Sequence, residues 1–317
     1  MTSAIQPDDV RSAAGRIRPL ARRTPVYTSA GFDAEAGARV FFKCENLQRG
    51  GAFKIRGASN LILSLPESAL ARGVVAYSSG NHAQATAIAA RHVRAQATIV
   101  MPEDAPRSKM EATRGYGARI VTYNRLTDSR EQIARELLEE TGATLIPPFD
   151  HPMIMAGQGT AALELLEEAG PLDALITPIG GGGLLSGCAT IARGLQPAIR
   201  IFGAEPEGAN DTFLSLVAGK RVALPQVNTI ADGLRSPQPG ELTFPILQRL
   251  VERVALVSDD EIRATVKFLL LRLKILVEPS GSAAAAAVLF HKLPREIGSV
   301  GVVLSGGNLD FEDLAKY

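Results

Sequence analysis

The chain has 317 residues, 46% of them hydrophobic, which is enough for about two domains with sizeable cores. Its formal net charge of +1, spread along the chain, excludes a strong overall attraction to nucleic acid or to an anionic membrane. There is no signal-peptide core and no apolar run of membrane-spanning length, so we expect a cytoplasmic protein without membrane contact. Cys44 and Cys188 lie in apolar contexts and are predicted to be buried free thiols, as in a reducing compartment.

Short β-branched runs alternate with helical patterns from about residue 40 onward. The predicted strands are Val40–Cys44, Val74–Ser78, Ala97–Met101, Arg119–Tyr123, Ala174–Pro178, Arg200–Ala204 and Val300–Leu304. The helical stretches between them include Asn81–Arg91, Ser129–Thr141 and Leu184–Gln196. Short apolar strands separated by helices predict an α/β fold whose parallel sheets are covered on both faces. An alanine run, 283–287, is expected in a buried helix because alanine is the best helix former.

The order of these elements predicts two domains. Residues 74–149 contain their own series of strands and helices and end just after Pro147-Pro148. We therefore predict a small domain over 74–149, inserted between two parts of a large domain, 1–73 and 150–317. In such sheets, ligands bind beyond the carboxyl ends of the strands, where loops lead into helices.

Two of these loops join small residues to groups that can carry out chemistry. In the first, a Gly-Gly pair precedes Lys54 at a helix start. This lysine is either an ordinary solvated residue or a Schiff-base lysine, which needs a fixed and partly desolvated amine. The second loop, SSGNH at 78–82, follows a strand and opens a helix. Its backbone N–H groups form either a plain N-cap turn or an anion site suited to a carboxylate.

Two further loops are rich in glycine. Residues 180–183 are four successive glycines between a strand and a helix, so their N–H groups can approach a phosphate closely. Because packing rarely requires four glycines in such a place, we predict a phosphate site there. The loop SGGN at 305–308 also follows an apolar strand, but by itself it indicates no more than a turn.

FKIRG, SSGNH, GGGG and SGGN occur in this order, each at the end of a strand or helix. Together with RIRPLARRTPVYTS from Arg16, AGQGT at 156–160, ADG at 231–233 and EPSG at 278–281, they resemble the serine racemase and serine/threonine dehydratase family of pyridoxal-phosphate enzymes. The resemblance extends to Asn308, nearly the whole chain. It implies fold type II, as in the tryptophan synthase β-subunit, with two domains that each hold a largely parallel sheet flanked by helices.

The implied reaction is dehydration and deamination of a 3-hydroxy amino acid to a 2-oxo acid and ammonia. L-Threonine, L-serine and threo-3-hydroxyaspartate all fit as substrates, and racemisation is the alternative main activity. Ala52 stands in place of a more usual serine and resembles dehydratases that act on threo-3-hydroxyaspartate. The implied partners are a small amino acid and further copies of the chain in a homodimer or homotetramer. Only nine residues follow Asn308, so we expect no regulatory domain of the kind found in biosynthetic threonine dehydratases.

The resemblance also implies roles for residues around pyridoxal 5′-phosphate. Lys54 would bind the cofactor covalently and later move the Cα proton, while Phe53 would lie against the pyridine ring. Asn81 would bond the ring hydroxyl and Ser305 the ring nitrogen. A neutral hydroxyl at that nitrogen makes the ring a weaker electron sink, which favours loss of a β-leaving group. The phosphate would be held by the backbone of Gly180, Gly181, Gly182, Gly183 and Leu184.

Substrate contacts follow from the same resemblance. Ser78, Asn81 and His82 would bind the α-carboxylate, and Ser79 would act as a second acid/base on the opposite face of the cofactor, as in the racemases. Arg130 stands where serine racemases have an arginine near the substrate pocket. The local sequence at 129–132, SREQ, fits a helix capping box with an exposed arginine equally well.

A divalent-cation site is implied by Glu205, Ala209 and Asp211, which match the racemase-like members. Ala209 would contribute its carbonyl, and water would complete an oxygen-rich shell suited to Mg²⁺ or Ca²⁺. The alternative is an ordinary polar loop.

Two other classes of protein remain open on the residues alone. The strand, glycine-rich turn and helix over 174–196 resemble the dinucleotide unit of a nicotinamide-dependent dehydrogenase, but the glycine spacing is not G-x-G-x-x-G. That interpretation also leaves Lys54 and SSGNH without a role. A non-enzymatic α/β binding protein would show neither a chromophore nor an adduct on Lys54.

Overall fold

The computed structural model describes residues 3–105 and 107–316. Ten strands lie within these ranges. They are β1 (Val26–Tyr27), β2 (Arg39–Cys44), β3 (Val74–Tyr77), β4 (Ala97–Pro102), β5 (Arg119–Tyr123), β6 (Thr144–Leu145), β7 (Ala174–Pro178), β8 (Arg200–Pro206), β9 (Arg253–Val257) and β10 (Ser299–Leu304).

Helices connect almost all of these strands. They are α1 (Pro7–Ile17), α2 (Ala30–Ala36), α3 (Lys54–Ile62), α4 (Glu67–Leu70), α5 (Asn81–His92), α6 (Arg107–Gly115), α7 (Arg130–Thr141), α8 (Pro152–Ala169), α9 (Gly183–Leu195), α10 (Asp211–Ala218), α11 (Thr243–Leu250), α12 (Asp259–Phe268), α13 (Pro279–Leu289) and α14 (Phe311–Leu314). None of the helices in the described part of the chain is both long and apolar enough to span a bilayer.

The strands form two sheets. The larger has the order β1-β2-β10-β7-β8-β9, and only the β1–β2 pair is antiparallel. The smaller has the order β5-β4-β3-β6 and is parallel throughout. The predicted α/β class with two largely parallel sheets flanked by helices is confirmed. All strands of the smaller sheet lie between Val74 and Leu145, while the domain limits at 74 and 149 stay a prediction.

All seven predicted strands form, with ends that differ by at most two residues. Three further strands, β1, β6 and β9, were not predicted. The first two have only two residues each, which is too short for a periodic pattern to be recognised. Strand β9 has the apolar sequence RVALV and forms the edge of the larger sheet.

The larger sheet is covered on both faces. Helix α13, which carries the alanine run, packs against the central strands on one face, and every residue of 283–287 is buried there. The prediction of a buried helix is therefore confirmed. Helices α1, α8 and α9 form the apolar layer on the other face. Cys44 and Cys188 are both free and buried, as predicted, and burial raises the pKa of each thiol to about 12.

Strand pairing decides where the loops meet. Strands β2 and β10 are parallel neighbours, with Leu304 opposite Cys44 at their carboxyl ends, and β10 also pairs with β7. The chain therefore leaves all three strands at the same edge of the sheet. The loops that lead to Lys54, to residues 180–183 and to Ser305 start from this edge.

Candidate active site

The loop that ends in Lys54 lies directly against the loop that follows β10. The backbone N–H of Phe53 donates to the carbonyl of Ser305 at 3.0 Å, and the N–H of Gly307 donates to the carbonyl of Gly51 at 2.9 Å. Ala52 forms an isolated bridge with Gly306. These backbone bonds bring Lys54 and Ser305, which are 251 residues apart in sequence (305 − 54), to one place.

Lys54 is the first residue of α3, and its side chain is partly buried. Its Nζ donates to the carbonyl of Pro148 at 2.8 Å and lies 5.1 Å from the centre of the Phe53 ring. Burial lowers the pKa of the amine to about 8, and the structure records no carboxylate bonded to it within the described residues. Roughly a tenth of this amine is therefore neutral at pH 7, far more than for an ordinary lysine, and the neutral form is the one that attacks a carbonyl group.

Asn81 is held at both ends of its amide. Its Nδ2 donates to Oε1 of Glu278 at 2.7 Å, and its Oδ1 accepts from Nδ2 of Asn308 at 2.8 Å. One N–H of the amide remains for a further acceptor, because a primary amide carries two. Asn81 opens α5 beside the smaller sheet, whereas Glu278 and Asn308 belong to the larger one, so these bonds also join the two sheets.

Glu278 is buried, and burial raises the pKa of its carboxyl to about 8, with the nearby Asp232 as the second cause. The acid is therefore mostly protonated at neutral pH. A Cβ added at Gly306 would lie 2.3 Å from its Oε1, so glycine is needed there to admit the carboxyl group. Among the described residues, Glu278 has no ion-pair partner.

The SSGNH loop connects β3 to α5. Ser78 Oγ accepts from the N–H of Gly80 at 3.3 Å, and Ser79 is partly exposed. The N–H groups of Asn81 and His82 begin the helix and have no acceptor within it. This arrangement suits an anion, because the positive end of the helix dipole lies at the same point.

The imidazole of His82 is buried and bonded to backbone. Its Nε2 lies 2.8 Å from the carbonyl of Ile146, so Nε2 carries the hydrogen, and no partner of the buried Nδ1 is recorded in the described chain. Burial, followed by the nearby Lys54 ammonium, lowers the pKa of His82 to about 3, so the ring is neutral. A neutral ring with its hydrogen on Nε2 offers a lone pair at Nδ1. For an anion, only the backbone N–H of His82 is available.

The glycine loop, residues 180–183, leads into α9. Gly182 has a φ of +91°, a left-handed conformation that glycine adopts without strain. A Cβ on Gly181 would lie 2.4 Å from the ring of Phe149, and one on Gly182 would lie 2.9 Å from Thr243. A Cβ on Gly183 would lie 2.9 Å from the Cβ of Phe149. Packing therefore does require glycine at three of the four positions, contrary to the expectation drawn from the sequence.

The loop also forms the N-terminal end of α9. The first N–H groups of α9, at Gly183 and Leu184, have no acceptor within the helix. They lie at the positive end of the helix dipole, where a phosphate dianion is favoured. The predicted phosphate site thus has the donors that it needs, although the four glycines alone are weaker evidence for it.

Arg130 is the first residue of α7 and is about half exposed, at 45% of its side chain. Ser129 caps the helix by accepting from the N–H of Gln132 at 3.2 Å, as the capping interpretation expects. The guanidinium bonds Glu131 at 2.7 Å and lies 5.4 Å from the centre of the Tyr77 ring. Tyr77 immediately precedes Ser78, so Arg130 lies beside the SSGNH loop.

Glu205, Ala209 and Asp211 come together at the end of β8. Glu205 accepts from the backbone N–H groups of Thr212 at 3.0 Å and Phe213 at 2.8 Å. Both carboxylate oxygens of Asp211 are buried, and neither has a hydrogen-bond partner in the described part of the chain. Burial, and for Glu205 also the neighbouring Asp211, raises their pKa values to about 8 and about 7.

Two buried carboxyl groups without a positive partner suit a hard divalent cation. Across residues 3–105 and 107–316, no group of three or more His, Cys, Asp or Glu side chains has the geometry of a metal site. A cation at Glu205 and Asp211 would therefore need backbone carbonyl and water oxygens as its other ligands.

Sequence reasoning missed several residues of this region. Glu278 and Asn308 lie in motifs that were recognised, EPSG and SGGN, but neither side chain had been given a role. Phe149 and Asp150 had no signal at all, because an aromatic and an acidic residue after two prolines are common in loops. Their partners lie far away in the chain.

A family model described as pyridoxal-phosphate dependent enzyme matches residues 17–306. The chain is 50% identical over 308 residues to L-threo-3-hydroxyaspartate ammonia-lyase of Pseudomonas sp, covering 97% of each. It is 48% identical to serine racemase of Schizosaccharomyces pombe, covering 98% of this chain and 96% of that one. The structure of maize serine racemase superposes with a TM-score of 0.96 at 45% identity, covering 99% and 96%. The resemblance drawn from the motifs is confirmed.

Proposed function

The chain belongs to the family of pyridoxal-phosphate dependent enzymes, and on this premise we propose that it eliminates water from a 3-hydroxy amino acid. The products would be a 2-oxo acid and ammonia. The observation that carries the proposal is Lys54, a partly buried amine of lowered pKa on the loop that touches Ser305. Relatives named ammonia-lyases support elimination as the main outcome. The family match leaves the nicotinamide-dependent alternative without support.

The residues present fit the cofactor. The Lys54 amine donates to a backbone carbonyl and has no carboxylate partner recorded among the described residues, and the start of α9 has backbone N–H groups without an acceptor in the helix. Asn81 retains one N–H for the ring hydroxyl, and Ser305 lies on the loop against Phe53. We propose that these groups, with Leu184, hold pyridoxal 5′-phosphate. When bound, it supplies an electron-accepting ring that stabilises negative charge at the substrate Cα.

The chain's own groups would divide the remaining work. The Lys54 amine would hold the cofactor and, in its neutral form, would take the proton from the substrate Cα. The N–H groups at the start of α5, with Ser78, bind and orient the α-carboxylate. Ser305 offers a hydroxyl rather than a carboxylate to the ring nitrogen, so it does not stabilise a positive charge there. Departure of the β-hydroxyl is then favoured over prolonged build-up of charge at Cα.

Peptide mapping tests the central residue. Borohydride reduction of the purified enzyme should fix the cofactor on Lys54, and Lys54→Ala should remove the visible absorption band. Lys43 is a demanding internal control, because it is also a buried lysine but has an ion pair with Glu164 at 2.7 Å. Label on Lys43, or a chromophore that survives in Lys54→Ala, would refute the proposal.

We further propose that threo-3-hydroxyaspartate is the preferred substrate, with Arg130 as the group that binds its second carboxylate. The guanidinium lies on Tyr77 next to the carboxylate loop. Among the described residues its ion-pair partner is Glu131, and this pair is half exposed and therefore weak. A guanidinium can bind a carboxylate through two parallel hydrogen bonds. Ala52 and the 50% identical ammonia-lyases point the same way.

The corresponding experiment compares two substrates in one variant. Loss of a bidentate carboxylate contact costs roughly 2–4 kcal/mol, so Arg130→Ala should lower kcat/KM for 3-hydroxyaspartate about 30-fold or more. Threonine has no second carboxylate, and its turnover should change little. Glu131→Gln is the control for the surface ion pair. Equal losses on both substrates would instead favour a capping role for the first turn of α7.

Racemisation is the second candidate activity, favoured by the relatives named serine racemase and by the hydroxyl of Ser79. Lys54 can reach Cα from one face only, so inversion needs a proton donor on the other face. Ser79→Ala should therefore abolish conversion of L- to D-serine and dehydration of D-serine, while dehydration of L-serine largely survives. Parallel loss of D-serine and pyruvate formation would make Ser79 a binding residue.

The proposal also includes a divalent cation, a small domain and a homo-oligomer. We infer that Mg²⁺ or Ca²⁺ binds Glu205, Asp211 and the Ala209 carbonyl, because the two acids are buried together without a positive partner. We propose that residues 74–149 form a small domain carrying the carboxylate site. A homodimer or homotetramer in the cytoplasm is likewise a proposal, since free thiols suit a reducing compartment.

A further inference from the structure

Residues 146–151, here called the linking segment, contain no helix or strand, yet they touch most of the elements around Lys54. The carbonyl of Ile146 accepts from His82 at 2.8 Å, and the carbonyl of Pro148 accepts from Lys54 Nζ at 2.8 Å. The next two residues, Phe149 and Asp150, contact the glycine loop and the start of α11.

Phe149 packs against the glycine loop at two points. A Cβ on Gly181 would lie 2.4 Å from each of three carbons of the Phe149 ring, so the hydrogen present there instead faces the ring. A Cβ on Gly183 would lie 2.9 Å from the Cβ of Phe149 and 3.0 Å from its Cα and carbonyl oxygen. Phe149 and the glycines therefore restrict each other: only glycine fits beside the ring, and the ring limits where the glycine backbone can lie.

Asp150 acts on the same loop through the start of α11. Its carboxylate accepts from the N–H groups of Glu241 at 2.8 Å, Leu242 at 2.9 Å and Thr243 at 3.2 Å, and so caps the start of α11. Thr243 Oγ1 in turn donates to the carbonyl of Gly181 at 2.8 Å. The Gly181 carbonyl is therefore anchored to α11, and its peptide unit cannot rotate freely.

We propose that Phe149 and Asp150 are positioning residues that hold the glycine loop in the conformation whose N–H groups bind the cofactor phosphate. The inference rests on the proposed function, because it requires the phosphate to lie at this loop. Glycine has more backbone freedom than any other residue, so an unsupported run of four would lose much conformational entropy on binding. The Phe149 ring and the anchored Gly181 carbonyl order the loop before the phosphate binds, so that little conformational entropy is lost on binding.

Two ligands that differ only in the phosphate test this role. Apoenzyme is titrated with pyridoxal 5′-phosphate and with pyridoxal, and the dissociation constant of pyridoxal divided by that of pyridoxal 5′-phosphate is compared between parent and variants. Phe149→Leu keeps an apolar side chain but removes the ring, and should lower the ratio roughly tenfold, equivalent to one lost hydrogen bond to a charged group. Pyridoxal should bind the variant about as well as the parent, since it makes no contact with the loop through a phosphate.

Two further variants provide a second test and a control for general loss of stability. Asp150→Ala removes the cap and should lower the same ratio, and it decides the question if Phe149→Leu does not fold. Phe32→Leu removes a ring that packs edge-on against Phe42 and Phe268 in a different core cluster, so it should lower the melting temperature and leave the ratio unchanged.

The possible results distinguish a failure of this inference from a failure of the proposed function. If the parent binds neither ligand at Lys54, or shows no preference for the phosphorylated one, the proposed function fails. If the parent prefers the phosphorylated ligand and both variants keep that preference, the function stands and the positioning role is wrong. A parallel loss of both affinities in the variants would also overturn it, because it would mean general destabilisation.

Discussion

Two regions of the molecule bury ionisable groups in opposite ways. On one side of α3, Lys43, Glu45, Arg56 and Glu164 form a cluster of two positive and two negative charges. Arg56 is fully buried, and its guanidinium donates to both oxygens of Glu45 at 2.7 Å and to both oxygens of Glu164 at 2.8 Å. Lys43 donates to the carbonyl of Thr24 at 2.6 Å and pairs with Glu164 at 2.7 Å. This ion cluster balances its own charge.

The second set of groups comprises Lys54, Glu205, Asp211 and Glu278, called here the unbalanced groups. They are also buried or partly buried, but none has an ion-pair partner within the described residues. Burial is the first cause of the altered pKa of each, toward the neutral form in every case. Lys54 and Arg56 are two residues apart on one helix, so the contrast cannot be attributed to different elements.

The difference indicates where ligands belong. A buried charge that is fully paired has its desolvation compensated by the protein, and its role is to hold elements together. A buried group without a partner costs stability unless a ligand, a cation or a proton compensates it. Substitutions in the two sets of groups should therefore have different effects on stability.

The largest effect is expected from breaking the ion cluster. Arg56→Met leaves the carboxylates of Glu45 and Glu164 buried without their main partner, so the free energy of unfolding should fall by about 3–5 kcal/mol, measured by urea denaturation. Arg23→Met is the matched control: Arg23 pairs with Glu167, but both side chains are about half exposed. Its loss should be under about 1 kcal/mol. Similar losses for the two variants would show that the buried ion cluster contributes no more to stability than an exposed ion pair.

A divalent cation should compensate the buried negative charge of Glu205 and Asp211. Bound only to the folded protein, Mg²⁺ or Ca²⁺ at a hundredfold excess over its Kd should stabilise by about 2.7 kcal/mol and raise the melting temperature. Asp211→Ala should lose this gain. Glu207→Ala is a suitable control, since Glu207 is an exposed carboxylate on the same segment. A variant at Asp211 that responds as strongly as the parent would exclude the site.

A smaller effect is expected from Glu278 on the pH dependence of the unfolding free energy. Its pKa is raised from 4.5 to about 8 in the folded protein, so its neutral form favours folding below pH 4.5 and that contribution is lost as the pH rises through 8. Between pH 6 and pH 8 the parent should therefore lose about 2 kcal/mol more unfolding free energy than Glu278→Gln, which does not titrate. Parallel pH profiles for the two proteins would show that Glu278 is ionised in the fold.

Much of the candidate site was predictable because each part is local. The strand, the loop and the helix start that present Lys54, SSGNH or the four glycines are all encoded within about ten residues, and helix capping and β-branched runs mark their ends. The parallel pairing of β2, β10 and β7 follows from the alternation of strands and helices, as the sheet order bears out. That these loops meet at one edge then follows from geometry.

Other features depended on partners distant in the chain. Glu278 could be recognised as part of a motif, but its neutral state results from burial beside Asp232 and from the Asn81 amide, 197 residues away. The resemblance gave His82 a role in carboxylate binding without specifying which of its groups would bind. Its bond to Ile146 and its burial leave a neutral ring, so the backbone N–H is the donor that it offers to an anion. Burial and long-range contacts are not properties of a short segment.

The sequence by itself determined the α/β class and the family, and it predicted the residue types proposed to face the cofactor, because each is expressed in periodicity or in contiguous motifs. Only the tertiary structure decided which buried charges are balanced, and why the glycine loop has its shape. Phe149 and Gly181 are 32 residues apart (181 − 149), and their contact exists only once α8 and β7 have brought the linking segment to the sheet edge. Desolvation and close packing act between surfaces, and surfaces form only when the chain has folded.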